Sequence, residues 1–235
     1  MGMTEKRDNE PAFVLHTYPY RETSLIVETL SRNHGRLALV ARGARRPMSS
    51  LKSRLLAFQP LELSWFGKGG LRTLHAAEWQ GGDLRLSGHA LMCGFYLNEL
   101  LLKLLPPDDP HERLYDRYVE TLAELSSLAG PEPILRRFEL DLLSELGYAQ
   151  TLSHQAEGDA VRPGQRYGYV FDRGVVAAEG GPGYAGKTLL DMAAGDFTDP
   201  RTLAESKLLM RALINHYLSD KPLLTRQLLI DLQQI

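Results

Sequence analysis

Aromatic and β-branched residues gather in short runs through the first eighty positions, separated by turn residues. Ala12 to Tyr18 and Ser24 to Leu30 predict two strands, and Asn33-His34-Gly35 predicts a turn into a third, Arg36 to Arg42. Gly43 to Ser50 holds glycine, proline and serine and is expected as a loop. Leu61 to Phe66 and Leu71 to Trp79 flank Gly67-Lys68-Gly69-Gly70, a hairpin signal. Five short strands in about eighty residues suit a small closed barrel, with the OB-fold the obvious candidate and an SH3-like barrel its rival.

After Gly81-Gly82 the apolar period changes to that of helices. Ser87 to Leu105 is apolar nearly all round and stops at Pro106-Pro107. His111 to Leu128 places Leu114, Tyr118, Leu122 and Leu125 at helical spacing, and Pro133 to Leu146 does the same with Leu135, Phe138, Leu142 and Leu146. These three helices are expected to pack on one another. Residues 148–185 are glycine-rich, with one hairpin expected from Tyr167 to Phe171 and Val175 to Ala178. Helices return at Lys187 to Ala193, Thr202 to Leu218 and Thr225 to Gln234. The fold class is therefore α+β: an N-terminal barrel over 1–80, then a mostly helical domain over 81–235 with a small glycine-rich insert at 148–185.

Composition is globular, with 43% hydrophobic and 24% charged residues. A single cysteine, Cys93, excludes an intrachain disulfide and suits a reducing compartment. The polar stretch Met1 to Glu10 has no secretory core, and the run Leu86 to Leu105 is broken by His89, Asn98, Glu99 and Lys103. A cytoplasmic protein without a membrane contact is expected. Charge changes the picture more. Residues 1–80 carry twelve Lys or Arg against seven Asp or Glu; the rest carry fifteen against twenty-two. Between residues 32 and 72, nine cations face one acid, Glu62. A basic face inside a chain of pI near 6.4 points to a polyanion, and nucleic acid is the commonest.

Enzyme chemistry finds little support. Gly181 to Thr188 fits the phosphate-loop pattern GxxxxGK[ST] in full, but the 47 residues after it read as helices, without the further βα units that such a fold needs. The seven histidines and Cys93 show no zinc-ligand spacing, and no G-x-S-x-G or H-E-x-x-H occurs. Glu99, inside an apolar helix, is expected to be a buried, satisfied carboxylate. The positive signal is the set Arg36, Arg42, Arg45, Arg46, Lys52 and Arg54, placed to meet a phosphate backbone. Tyr18, Tyr20, Trp65 and Phe66 are aromatic candidates for base stacking, and at most one of the adjacent pair Trp65-Phe66 faces outward.

Several strings resemble the bacterial recombination mediator family RecO. They are Phe13 to Leu25, Gly35 to Arg45, Tyr96 to Leu100, Leu135 to Leu140 with Leu146 to Tyr148, and Lys221 to Arg226. The order is preserved over almost the whole chain. The resemblance implies an N-terminal OB-fold, a helical domain and an insert that binds zinc in many members. Here Gln155 and Gly158 occupy the first Cys-x-x-Cys, so no metal or other cofactor is expected in the insert at 148–185. It implies a non-enzymatic protein that binds single- and double-stranded DNA, anneals complementary strands and helps load RecA onto DNA coated by single-strand-binding protein. RecR and the C-terminal tail of single-strand-binding protein are the implied partners, with RecA reached indirectly and the protein at the nucleoid when DNA-bound. Arg136, beside the apolar stripe of its helix, is the candidate for that tail's carboxylate, and Arg137 is a weaker one whose alternative is an i,i+4 pair with Asp141. The alternatives are an OB module without a repair role and a nucleotide-binding enzyme.

Overall fold

The N-terminal apolar runs become β1 (Lys6–Tyr20), β2 (Ser24–Ser31), β3 (Gly35–Ala41), β4 (Leu61–Phe66) and β5 (Leu71–Trp79). The computed structural model describes residues 5–82, 84–127, 130–148, 151–178, 183–219, 221–225 and 227–228. The five strands close in the order β1-β2-β3-β5-β4. Every contact is antiparallel except that of β3 with β5, paired through Ala38–Leu71, Leu39–Arg72 and Val40–Thr73. This is the five-stranded OB-type barrel. A five-residue helix, α1 (Ser50–Arg54), lies between β3 and β4 and had no counterpart in the sequence pattern. Strand β1 starts earlier than its apolar run, because Lys6 and Arg7 pair with Phe66 and Trp65.

Alternation sends Val14, Val27, Leu37, Leu39, Leu63, Trp65 and Leu74 into the barrel, where Trp65 is 2% exposed. On β1 the intervening Phe13 and Leu15 are buried as well, so this strand is covered on both faces. The second cover comes from α2 (Gly88–Leu104) and α3 (Glu112–Leu125). Phe13 meets the rings of Tyr115 and Tyr118 at 5.7 and 5.3 Å. Buried Asn98 donates to the Leu15 carbonyl at 2.9 Å and accepts from the Tyr118 hydroxyl at 2.6 Å, tying β1, α2 and α3 through a satisfied polar bridge. Burial pushes the Tyr118 hydroxyl above its ordinary range and the Tyr115 hydroxyl up to about 12. Gly35 turns β2 into β3 with φ +68°, and a Cβ there would lie 2.0 Å from the Asp109 carbonyl oxygen.

The chain forms two compact units, 1–128 with 223–235, and 129–222. The expected three-helix group therefore divides. Helices α2 and α3 belong to the barrel unit, whereas α4 (Pro131–Glu145) belongs to the second, where it packs against α6 (Pro200–Tyr217). The buried face of α4 is Ile134, Phe138, Glu139, Leu142 and Leu143, and Leu135 is half-buried. The insert supplies β6 (Arg166–Val170), β7 (Gly174–Ala177) and β8 (Tyr184–Ala185) in an antiparallel sheet of order β7-β6-β8, and α5 (Gly186–Ala193) follows. The expected C-terminal helix, 225–234, lies mostly outside the described residues; positions 224, 225, 227 and 228 are helical.

Candidate nucleic-acid interface

The loop after β3 is a chain of turns with one inward anchor. Ala44 is fully buried, while Arg46 N–H donates to Gly43 and Ser49 N–H to Arg46, each at 3.0 Å. Arg45 N–H donates to the Thr23 carbonyl at 2.9 Å, which fastens the loop to the β1–β2 turn. Leu51 and Leu55 then pin α1 against the barrel core. Loop and helix are thereby ordered with their cations outward: Arg42, Arg45, Arg46, Lys52 and Arg54 are all exposed.

What separates these five from the other four cations of residues 32–72 is the position of the acids. Arg32 holds Asp116 through two bonds of 3.1 and 3.0 Å and reaches Glu112 at 3.0 Å. Its hydrogen bond keeps the Asp116 carboxyl below the usual carboxylate range. Arg72 pairs with Asp108 at 2.7 Å and Lys68 lies 3.8 Å from Glu5. Arg36, expected among the DNA contacts, is half-buried: it donates to Glu28 at 3.0 Å and to the Leu105 carbonyl at 3.1 Å. Its strand places the guanidinium between Glu28 on β2 and the Leu105 carbonyl at the end of the helix that follows the barrel, so its charge is already met by a carboxylate. Among the described residues, Arg42, Arg45, Arg46, Lys52 and Arg54 make no ion pair. Arg45 donates to the Arg21 carbonyl and Arg54 to the Ala77 carbonyl, both at 3.2 Å, contacts that orient a guanidinium and leave its net charge in place.

A cleft of about 840 Å³ opens beside the loop, lined by Tyr20, Arg21, Thr23, Arg42, Gly43, Arg46, Leu71 and Thr73 among others. Arg21 sits over the Tyr20 ring, 5.1 Å from its centroid, at φ +51° in the β1–β2 turn. Sequence reasoning did not select Arg21, which is eleven residues before the basic run begins at Arg32; only the closing of the barrel brings the turn to the loop. Glu22 is the acid of the cleft wall. Of the aromatic candidates, Trp65 is core, Tyr18 is 45% exposed, Tyr20 lines the cleft, and Phe66 is half-buried against His75.

Arg136 lies in the second unit, on α4, with its side chain 11% exposed and one bond of 2.6 Å to buried Glu139. Its Nε is buried without a hydrogen-bond partner among the described residues. The phosphate-loop match has a different basis. Gly181 and Pro182 lie outside the described residues. Gly186 is required because a Cβ there would lie 2.0 Å from the Arg162 carbonyl oxygen. Lys187 is bonded to Asp191 and lies 3.0 Å from Asp199, and the Thr188 hydroxyl donates to Glu205 at 2.8 Å. The lysine and hydroxyl that would hold phosphate and magnesium are thus engaged by three carboxylates, which would repel a phosphate. Hydrogen bonds from Lys187 and the Arg201 N–H hold Asp199 below its ordinary range. At the expected zinc-knuckle positions, Gly158 N–H donates to the Gln155 carbonyl at 2.9 Å, closing the turn through backbone bonds. No cluster of three His, Cys, Asp or Glu that could hold a metal occurs among the described residues. Glu99 accepts from the N–H groups of Leu224 and Thr225 at 2.8 and 2.9 Å, from the Thr225 hydroxyl, and from Lys103. It caps the C-terminal helical turn, the satisfied structural role expected of it. No helix among the described residues is long and apolar enough to cross a membrane.

Residues 3–82 match the family model described as Recombination protein O N terminal, and residues 85–227 match Recombination protein O C terminal. The chain is 56% identical to the DNA repair protein RecO of Nitrosospira multiformis over 237 aligned positions, covering 98% of each chain. It is 54% identical to that of Thiobacillus denitrificans, over 100% of this chain and 96% of the relative. With that of Azoarcus it shares 52%, over the full length of both.

Proposed function

The chain belongs to the RecO family of DNA repair proteins and is a recombination mediator, and we propose that its barrel unit holds DNA through Arg42, Arg45, Arg46, Lys52 and Arg54, joined by Arg21. The observation that carries this reading is the absence, among the described residues, of ion pairs at the five loop cations, beside four neighbours whose charges are met. A phosphate can use a cation only to the extent that no carboxylate already does. Single- and double-stranded DNA both present that phosphate array, and lowering the repulsion between two complementary strands promotes annealing without any bond chemistry. Tyr20 and exposed Tyr18 supply ring surface for unpaired bases. Cooperation with RecR in loading RecA onto DNA coated by single-strand-binding protein, and a place in the cytoplasm at the nucleoid, complete the proposal from the family relationship.

For the acidic tail of single-strand-binding protein, the proposed anchor is Arg136, which would exchange part of its bond to Glu139 for the tail's carboxylate. Unchanged tail-peptide affinity in a folded Arg136→Ala protein would remove it from the site.

The test of the barrel site is a salt titration of fluorescent single-stranded oligonucleotide binding. Each phosphate neutralised contributes about 0.7 to the log–log slope, so Arg45→Ala with Arg46→Ala should flatten it by about 1.4. The loss should be alike for unrelated sequences, because phosphate contacts carry no base information. A slope unchanged in the double variant would move the DNA off the loop.

A further inference from the structure

The second unit has an overall acidic composition, ten Lys or Arg against thirteen Asp or Glu in 129–222, yet one of its helices does not share that sign. The outward half of α6 carries Arg201, Lys207, Leu208, Arg211, Asn215 and His216, all exposed. Arg201 is paired with Glu205. Lys207 and Arg211 stand one turn apart, about 6 Å along the axis, and make no ion pair or side-chain hydrogen bond among the described residues. Leu208 between them is 61% exposed.

At the C-terminal end of the same helix is an open aromatic cluster. Tyr217 stacks on Tyr148 with centroids 4.2 Å apart and planes within 8°, and His216 stacks on Phe171 at 4.2 Å and 6°. The two stacks meet edge-on, His216 to Tyr217 at 5.0 Å. Phe171 is 39% exposed and Tyr148 37%, so each stack keeps an outer ring in contact with solvent. The acid here is Asp172, 3.2 Å from the Tyr217 hydroxyl and 3.6 Å from His216 Nε2. Neighbouring Arg173 is taken by Glu157.

Two cations one turn apart on the exposed side of α6, without an ion pair among the described residues, and two exposed ring stacks at the C-terminal end of that helix offer a strand both phosphate contacts and ring surface for unpaired bases. A duplex would offer the cations its phosphates but would hide the faces of its bases from the rings. We propose that the exposed half of α6, with the Tyr148–Tyr217 and Phe171–His216 stacks, is a second surface for single-stranded DNA, separate from the barrel loop. Lys207 and Arg211 contact phosphates, and Phe171 carries a base. Annealing requires two strands on one protein, and this surface gives the second strand a place; only that purpose rests on the annealing reading, and the binding itself does not.

The experiment uses the full chain and an oligonucleotide containing 2-aminopurine, whose fluorescence falls when the base stacks. In the Arg45→Ala, Arg46→Ala background, adding Lys207→Ala and Arg211→Ala should remove about 1.4 further units of salt slope, two phosphates on a single strand. Phe171→Ala should restore the 2-aminopurine signal and weaken binding about tenfold, and Phe171→Leu, which keeps apolar volume without a ring, should do the same. The rate of annealing should fall in the Lys207→Ala, Arg211→Ala protein even with the barrel loop intact. An unchanged slope in the α6 variant, or unchanged quenching in both Phe171 variants, overturns the proposal. So does binding of an acidic, apolar peptide that is lost in the α6 variant while the oligonucleotide slope stays. The barrel reading fails separately, through the Arg45→Ala, Arg46→Ala slope in a protein with native α6.

Discussion

Two segments of this chain, residues 42–54 and residues 181–188, both combine glycine with cations in a pattern suited to a phosphate. In the first, five cations point outward without an ion pair among the described residues. In the second, Lys187 is held between Asp191 and Asp199, and Thr188 gives its hydroxyl to Glu205. The segment with the fuller motif match is the one whose cation is already neutralised. Availability to an anion is decided by which acids the fold brings within about 4 Å, since Coulomb energy falls with distance and the nearest charge dominates. Arg36 and Arg42 repeat the contrast within a single strand and the residue after it. The first is bonded to Glu28, and the second lines the cleft.

The strongest way to break this comparison is at Arg36. Arg36→Ala removes the partner of Glu28, whose side chain is 15% exposed, together with a donor to the Leu105 carbonyl. An uncompensated, mostly buried carboxylate should cost about 2 kcal/mol, seen as a fall in melting temperature of about 4–8 °C. The salt slope for DNA should not change. A flattened slope at unchanged stability would show that a paired cation still serves the phosphate, and the distinction between the two sets would fall.

A smaller effect is expected at Glu99, where the carboxylate is again taken by protein groups. Burial pushes its carboxyl up, but bonds from Lys103, Thr225 and Leu224 outweigh that and hold it below its ordinary range. A depressed value means that the contribution is present above the unfolded value of about 4.3 and is lost as pH falls through the folded one. Glu99→Gln should therefore cost about 1 kcal/mol near pH 7, the scale of a lost helix cap, and the difference from wild type should shrink in acid. Hydrogen exchange at the Leu224 and Thr225 amides measures it, and equal protection in both proteins at neutral pH would refute the cap.

The smallest effect is expected at Lys187. Lys187→Ala should leave DNA affinity and annealing unchanged, and equilibrium dialysis of the wild type with ATP and magnesium should show no saturable binding. To sharpen the contrast, Asp191→Asn with Asp199→Asn frees the lysine. Nucleotide binding that emerges only in that protein would show that the carboxylates alone keep the segment silent. Binding by the wild type, lost on Lys187→Ala, would reverse the reading.

The alternation of β2 to β5, the Gly35 turn and the stripe of α3 were legible because each follows from contacts near in sequence: a strand shows its inner face every second residue, a helix every three or four. So was the outward placement of the five cations in residues 42–54, since a loop rich in glycine, proline and serine has little to bury. Tertiary structure decided what depends on partners far along the chain. It extended β1 back to Lys6, whose polar run has no strand signal of its own and is ordered by β4. It assigned α4 to a different unit from α2 and α3, which helical periodicity cannot do because an apolar stripe does not specify what covers it. It brought Arg21 to the cleft, withdrew Arg36, Arg32 and Arg72 behind acids 8 to 84 residues away, and enclosed Lys187 among carboxylates. A sequence fixes the sign of each charge. Only the fold fixes the distance to its nearest opposite, and the interaction energy depends on both.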